Sequence, residues 1–93
     1  MSSHRFAVNV TPKEGILDPQ GRAVESSLGH LRIESVSAVR VGRRVELTVA
    51  ADDATAARAT VDRLASELLS NPLIESYVVE EIGAASSTVG APA

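Results

Sequence analysis

Two segments of different period meet at Asp18-Pro19, and that junction limits the fold more than any other stretch. Before it, Phe6, Val8 and Val10 alternate with Ala7 and Asn9, the period of a strand with one buried face. Thr11-Pro12 closes that strand, because proline cannot donate to a ladder, and Lys13-Glu14-Gly15 is polar connecting chain. After it, Val24, Leu28 and Leu31 recur at helical spacing, so a helix should run to about Leu31 or Arg32 with that stripe toward a core. Asp18 suits the N-cap, where a carboxylate accepts from N–H groups that lack partners inside the helix. Pro19 suits the first helical position, where its missing N–H costs nothing. Ile16 and Leu17 precede the cap and are placed to staple back onto the first turn. Gly21 runs against helix propensity by up to ~1 kcal/mol. Either another backbone approaches closely there, or the residue is tolerated near a helix end.

The rest of the chain repeats the alternation of periods. Val36–Val41 reads as a second strand and Val45–Val49 as a third, with Gly42-Arg43-Arg44 as the turn of an antiparallel hairpin. Val39 and Val41 share one face of the second strand. Val45, Leu47 and Val49 share one face of the third, leaving Glu46 and Thr48 on the other. Asp52-Asp53 supplies the next N-cap. Ala54, Ala57, Val61, Leu64 and Leu68 then form a second helix, which Asn71-Pro72 ends. A last strand spans Glu75 to Ile82, with Tyr77 and Val79 on one side and Val78 and Ile82 on the other. Met1–His4 is expected to fray, and Gly83–Ala93 to be a disordered tail. The order β-α-β-β-α-β is the split βαβ arrangement of ferredoxin-like α+β domains. It predicts a four-stranded antiparallel sheet with two helices on one face, dimerising through the sheet.

Composition removes several classes of function. At 93 residues the chain is one domain, and a domain this small buries only roughly 60–65% of its unfolded surface. Self-association is one remedy. There is no cysteine, hence no disulfide framework, thiolate metal site or cysteine nucleophile. No apolar run approaches the ~20 residues of a membrane span, and the N-terminus lacks a signal-peptide core, so a soluble cytoplasmic protein without membrane contacts is expected. Net charge is −3, which speaks against nucleic acid as a partner. Phe6 and Tyr77 are the only aromatics, too few to stack bases.

Individual residues have plain readings. His4 and His30 have no ligand-spaced companions. Capping accounts for Asp18, and cap and first-turn charge for Asp52 and Asp53. Arg40, Arg43 and Arg44 would form an exposed charged turn, although arginines so placed could also grip carboxylates or phosphate. Tyr77 suits a core or a dimer seam, and Asn71-Pro72 a helix stop. No cofactor is expected in this chain.

Three blocks, in order, resemble the PurS family, the small subunit of phosphoribosylformylglycinamidine synthase. They are Val10–Lys13 leading into Gly15-Ile16-Leu17-Asp18-Pro19-Gln20-Gly21; Val39-Arg40-Val41-Gly42-Arg43 before Val45-Glu46-Leu47; and Leu69-Ser70-Asn71-Pro72-Leu73-Ile74-Glu75-Ser76-Tyr77. The resemblance covers residues 5–82. It implies a non-catalytic subunit of an ATP-dependent carbon–nitrogen ligase in purine biosynthesis. In that family the large synthase subunit uses ATP and magnesium, and a glutaminase subunit releases ammonia. The small subunit, a homodimer or tetramer, bridges the two so that ammonia passes between them. The implied protein-contact residues are Gly15, Asp18, Pro19, Gln20, Gly21, Arg40, Gly42, Arg43, Asn71, Pro72 and Tyr77. Two departures stand out: the family's usual glycine after the first helix is Arg32 here, and residues 83–93 lie outside the pattern. The topology also suits a dimeric domain binding a regulatory small molecule, and, less well given the aromatics, an RNA-recognition module.

Overall fold

Apolar alternation in three segments and one helical stripe make the core of the computed structural model, which describes residues 1–83. Strand β1 (Ser2–Pro12) is central, flanked by β2 (Arg43–Ala51) and β3 (Glu75–Gly83), both antiparallel to it. Helix α1 (Pro19–Ser27) continues into a 3₁₀ turn (Leu28–Leu31), and α2 (Ala54–Leu64) into a wider π turn (Ala65–Leu69). Phe6, Val8 and Val10 of β1 are buried together with Ala51, Ala57, Val61 and Ala65, and Val45, Leu47, Val49, Leu69, Tyr77 and Val79 pack around them. Small residues on α2 let it lie close to the sheet. Asp53 caps that helix, its Oδ1 accepting from the Ala56 N–H at 2.7 Å. The fold is therefore α+β, with two helices and an antiparallel sheet as expected.

Four expectations need correction. Among the described residues the sheet has three strands, not four, because Val36–Val41 forms no strand. The N–H groups of Val39 and Val41 donate instead to side chains, Glu25 Oε2 at 3.1 Å and Asp18 Oδ2 at 2.9 Å, so the segment needs no strand partner. Gly42-Arg43-Arg44 is likewise no turn. Arg43 and Arg44 already pair with Val10 and Asn9, and Gly42 crosses so close to the Val10 carbonyl that a Cβ would strike it. Ser2–His4 does not fray from the sheet but pairs with Val49–Ala51. The α1 stripe, finally, contributes nothing to the core: Val24 is 44% and Leu31 68% exposed.

The chain turns are equally specific. Arg32, where the family pattern has glycine, adopts the left-handed conformation itself (φ 57°, ψ 36°). The α2 stem ends with Ser70 in extended conformation, its hydroxyl donating to the Ala65 carbonyl. Asn71 does not take a left-handed cap. Its carbonyl accepts from Ile74 and Glu75, and its side chain accepts from Leu73 N–H. The β1–β3 ladder shifts register between Arg5 and Phe6. The sheet face away from the core carries a polar ladder over fully buried Ala7. In it Arg44 bonds Glu46 at 2.9 Å, Glu80 at 3.0 Å and Asn9 at 3.3 Å. Within the expected Gly83–Ala93 tail, Gly83 is instead the last residue of β3, paired with Arg5, and residues 84–93 lie outside the described residues.

Two substitutions test this backbone. Gly42→Ala should destabilise by roughly 2 kcal/mol or more, since the obstruction is main chain and cannot move aside. Arg32→Gly should stabilise by about 1 kcal/mol by removing the left-handed penalty of a side chain. Urea midpoints measure both.

Candidate functional site

The corner between β1 and α1 is built on one carboxylate. Gly15 (φ +81°) turns the chain after β1, and the Lys13 N–H donates to the Ile74 carbonyl at 2.9 Å. Asp18 then caps α1: its Oδ1 accepts from Gly21 N–H at 3.0 Å and its backbone carbonyl from Arg22 at 3.0 Å. The second oxygen, Oδ2, accepts from Val41 N–H. Those two N–H groups, with Arg40 nearby, hold the carboxyl below its ordinary range. Gly21 is explained by the same contact. A Cβ there would collide with the Val39 carbonyl and with Asp18 itself, so of the two readings the close backbone approach is the right one.

A second anchor joins the first residues of β2 and β3. The Arg43 guanidinium bonds both oxygens of Glu75, at 2.8 and 3.0 Å, and also the Leu69 carbonyl at 2.6 Å. Glu75 Oε1 accepts in addition from Asn71 N–H at 2.7 Å. The Arg43 bonds, then the Asn71 N–H, lower the Glu75 carboxyl to about 2, while Glu75 raises Arg43.

Between the anchors opens a cleft of about 580 Å³. Val10, Pro12, Ile16, Leu17, Pro19, Val41 and Ile74 form its apolar lining, with Asp18, Gln20, Gly42, Arg43 and Glu75 at its polar edge. A shallower groove of about 430 Å³ adjoins it, formed by Lys13–Asp18, Arg22, Glu25 and Ala38–Arg40. Ile16 and Leu17 are partly exposed in the cleft wall.

The structure thus brings together Asp18, Pro19, Gln20, Gly42 and Arg43 around one cleft. Gly15 and Arg40 line the adjoining groove, and Gly21 lies beneath the corner. Asn71 reaches the cleft through Glu75, and Pro72 is exposed on the same turn. Tyr77 is elsewhere: it packs on the core. Sequence reasoning missed Glu75 and Glu25 as anchors. Glu75 lay inside the third block of the resemblance, but nothing local marked either residue. Asp18 and Glu75 are held ionised by N–H donors, which suits them to fix geometry and unfits them as proton acceptors. Among the described residues no cluster of three or more His, Cys, Asp or Glu is placed to hold a metal. The arrangement is a cleft fixed on both sides by bonded carboxylates.

Comparison with known proteins identifies the family. The family model PurS, phosphoribosylformylglycinamidine (FGAM) synthase, matches residues 5–82. Over 78 residues the chain is 40% identical to the PurS subunit of Synechocystis, covering 84% of this chain and 78% of that one. It is 32% identical to the Thermotoga maritima PurS subunit, covering 88% of this chain and 100% of the relative. The fold is similar to a chain in the structure of PurLQS from Thermotoga maritima, with TM-score 0.80, 32% identity, and coverage of 88% and 100%. Bacillus subtilis PurS is similar at TM-score 0.73 and 35% identity, covering 85% and 98%.

Asp18→Ala should lower Tm by roughly 4–8 °C, the effect of one lost N-cap in a domain of this size. The pH dependence has a defined sign. A carboxyl with a lowered folded pKa adds stability that is fully present above its unfolded value and vanishes as pH falls through the folded one. For Glu75 that window runs from 4.5 down to about 2. Urea midpoints should therefore hold steady from neutral pH to about 5 and decline below it. Glu75→Gln should reduce that decline.

Proposed function

Because the chain belongs to the PurS family of FGAM synthase subunits in purine biosynthesis, we propose that it joins a glutaminase subunit to an ATP-dependent synthase subunit. In this role it catalyses nothing alone. ATP and magnesium belong to the synthase, glutamine hydrolysis to the glutaminase, and this chain, as a homodimer, holds them so that ammonia is delivered without loss to water. The observation that carries the reading is the likeness, over 88% of this chain and 100% of the other, to a chain in the structure of PurLQS. The cleft at the Asp18 corner supports it, being apolar, accessible and held by two anchors. A contact surface fixed before binding loses little entropy on assembly. Arg40, on the rim beside it, suits an acidic patch on a partner. Among the described residues no helix is long and apolar enough to cross a membrane, and the same reading places the protein in the cytoplasm.

Reconstitution tests this. Added to synthase and glutaminase, the chain should raise glutamine-dependent amidine formation while leaving synthesis from free ammonium unchanged. Equal glutamine-dependent rates without it would sink the proposal. Arg40→Glu should weaken co-elution with the partners by roughly tenfold, the effect of about 1.4 kcal/mol at an interface. Undiminished co-elution would remove Arg40 from the contact.

A further inference from the structure

The chain has nine side-chain cations, and Arg5, Arg43, Arg44, Arg58 and Arg63 are engaged in ion pairs. Among the described residues Lys13, Arg22, Arg32 and Arg40 have no such partner. Lys13, Arg22 and Arg40 line one place, the shallow groove beside the Asp18 corner, and Arg32 does not. The carboxylates of that groove are differently placed. Asp18 turns one oxygen to the Gly21 N–H and the other to the Val41 N–H, and Glu25 accepts from the Val39 N–H at 3.1 Å. Only Glu14 lines the groove with no bond to its carboxylate among the described residues.

The groove shares a wall with an apolar surface. Ile16 and Leu17 line both the groove and the larger cleft, and Leu17 is 69% exposed. Ile74 carries the apolar lining across the cleft, and Leu73 next to it in the chain is exposed as well. Exposed aliphatics gathered in one concave place mark a contact site, whereas scattered ones do not. The walls are fixed before anything binds. Ala38, in the groove wall, keeps a left-handed backbone (φ 58°) beside the Val39–Glu25 bond. A residue with a Cβ stays in that conformation only where its surroundings hold it.

We infer that these two adjoining hollows receive one acidic polypeptide segment of a partner subunit. A bulky apolar side chain of that segment enters the cleft, and carboxylates beside it meet Lys13, Arg22 and Arg40. This contact rests on the bridging role proposed above and specifies what the partner brings to it. Charge complementarity selects the acid. The cations of the groove are unpaired, while Asp18 and Glu25 are already spent on main-chain donors. The ions of the cleft select the apolar anchor, because Arg43 and Glu75 are bonded to each other and have little to offer an incoming polar group. A small free anion would meet the cations but leave the Ile16–Leu17 wall bare.

The test is the concentration of this chain that gives half-maximal glutamine-dependent synthesis with synthase and glutaminase. Lys13→Gln with Arg22→Gln should raise that concentration roughly tenfold at low salt. The gap from wild type should narrow at ~0.5 M salt, where exposed charges are screened. Glu14→Gln should lower it roughly threefold by removing a repulsive charge. Leu17→Ser should raise it about tenfold at either salt. Arg32→Gln, the same loss of charge outside the groove, should leave it unchanged. Wild-type Tm values show that each variant is folded. Wild-type half-saturation in both the Lys13/Arg22 variant and Leu17→Ser would overturn the docking face while the bridging role stands. Loss at Leu17 with silent charge variants would overturn the acidic segment in favour of an uncharged one. Loss at the cations with Leu17→Ser silent would overturn the anchor and leave a bare anion site. Variants that change the sedimenting mass of the chain by itself would assign the face to a second copy and overturn the partner. A wild-type chain that stimulates nothing would end the bridging role and this contact with it.

Discussion

A single carboxylate ties the start of α1 to the lead-in of β2. Asp18 offers one oxygen to the start of α1 and the other to Val41, on the lead-in to β2. Most N-caps close their own helix only. Here the cap also satisfies a main-chain donor twenty-three residues further along the chain, and Glu25 repeats the arrangement at Val39. The segment from Val36 to Val41 has the composition of a strand. Its Val39 and Val41 N–H groups donate to carboxylates, and Ala38 between Val36 and Val41 is left-handed (φ 58°), which interrupts an extended strand. Gly21 is the steric counterpart of the same contact: the lead-in passes so near α1 that no side chain fits.

The second constraint is the Arg43–Glu75 pair. An exposed ion pair contributes little by itself, but this one is bidentate, and both partners also bond main chain, at Leu69 and Asn71. It fixes the turn after α2 against the first residue of β2. With Lys13 bonded to Ile74, the ends of all three strands on that side of the sheet are tied together. The cleft between the anchors has apolar walls with an ionised border, a composition suited to docking a partner, where shape and dry contact count for more than reactivity.

What this architecture leaves undone is also informative. The core is closed by α2 alone, and the α1 stripe of Val24 and Leu31 stays partly or mostly exposed. Among the described residues the α1 face and the outer edge of β2 remain uncovered. That agrees with membership of a family whose known examples include a chain within a larger assembly.

Local rules alone determined the strand at Phe6–Val10, both helices, the caps at Asp18 and Asp53, and the Val45–Val49 and Tyr77–Val79 core faces, because period and capping chemistry are written in near neighbours. The three resemblance blocks likewise named most residues of the corner. The number of strands, the pairing of Ser2–His4, the exposure of the α1 stripe and the anchoring roles of Glu25 and Glu75 were settled only by tertiary structure. Each depends on which distant group reaches a main-chain donor or a guanidinium first. A valine-rich segment reads the same whether its N–H groups end on a strand or on a carboxylate, and only the folded chain brings Asp18 within 2.9 Å of Val41.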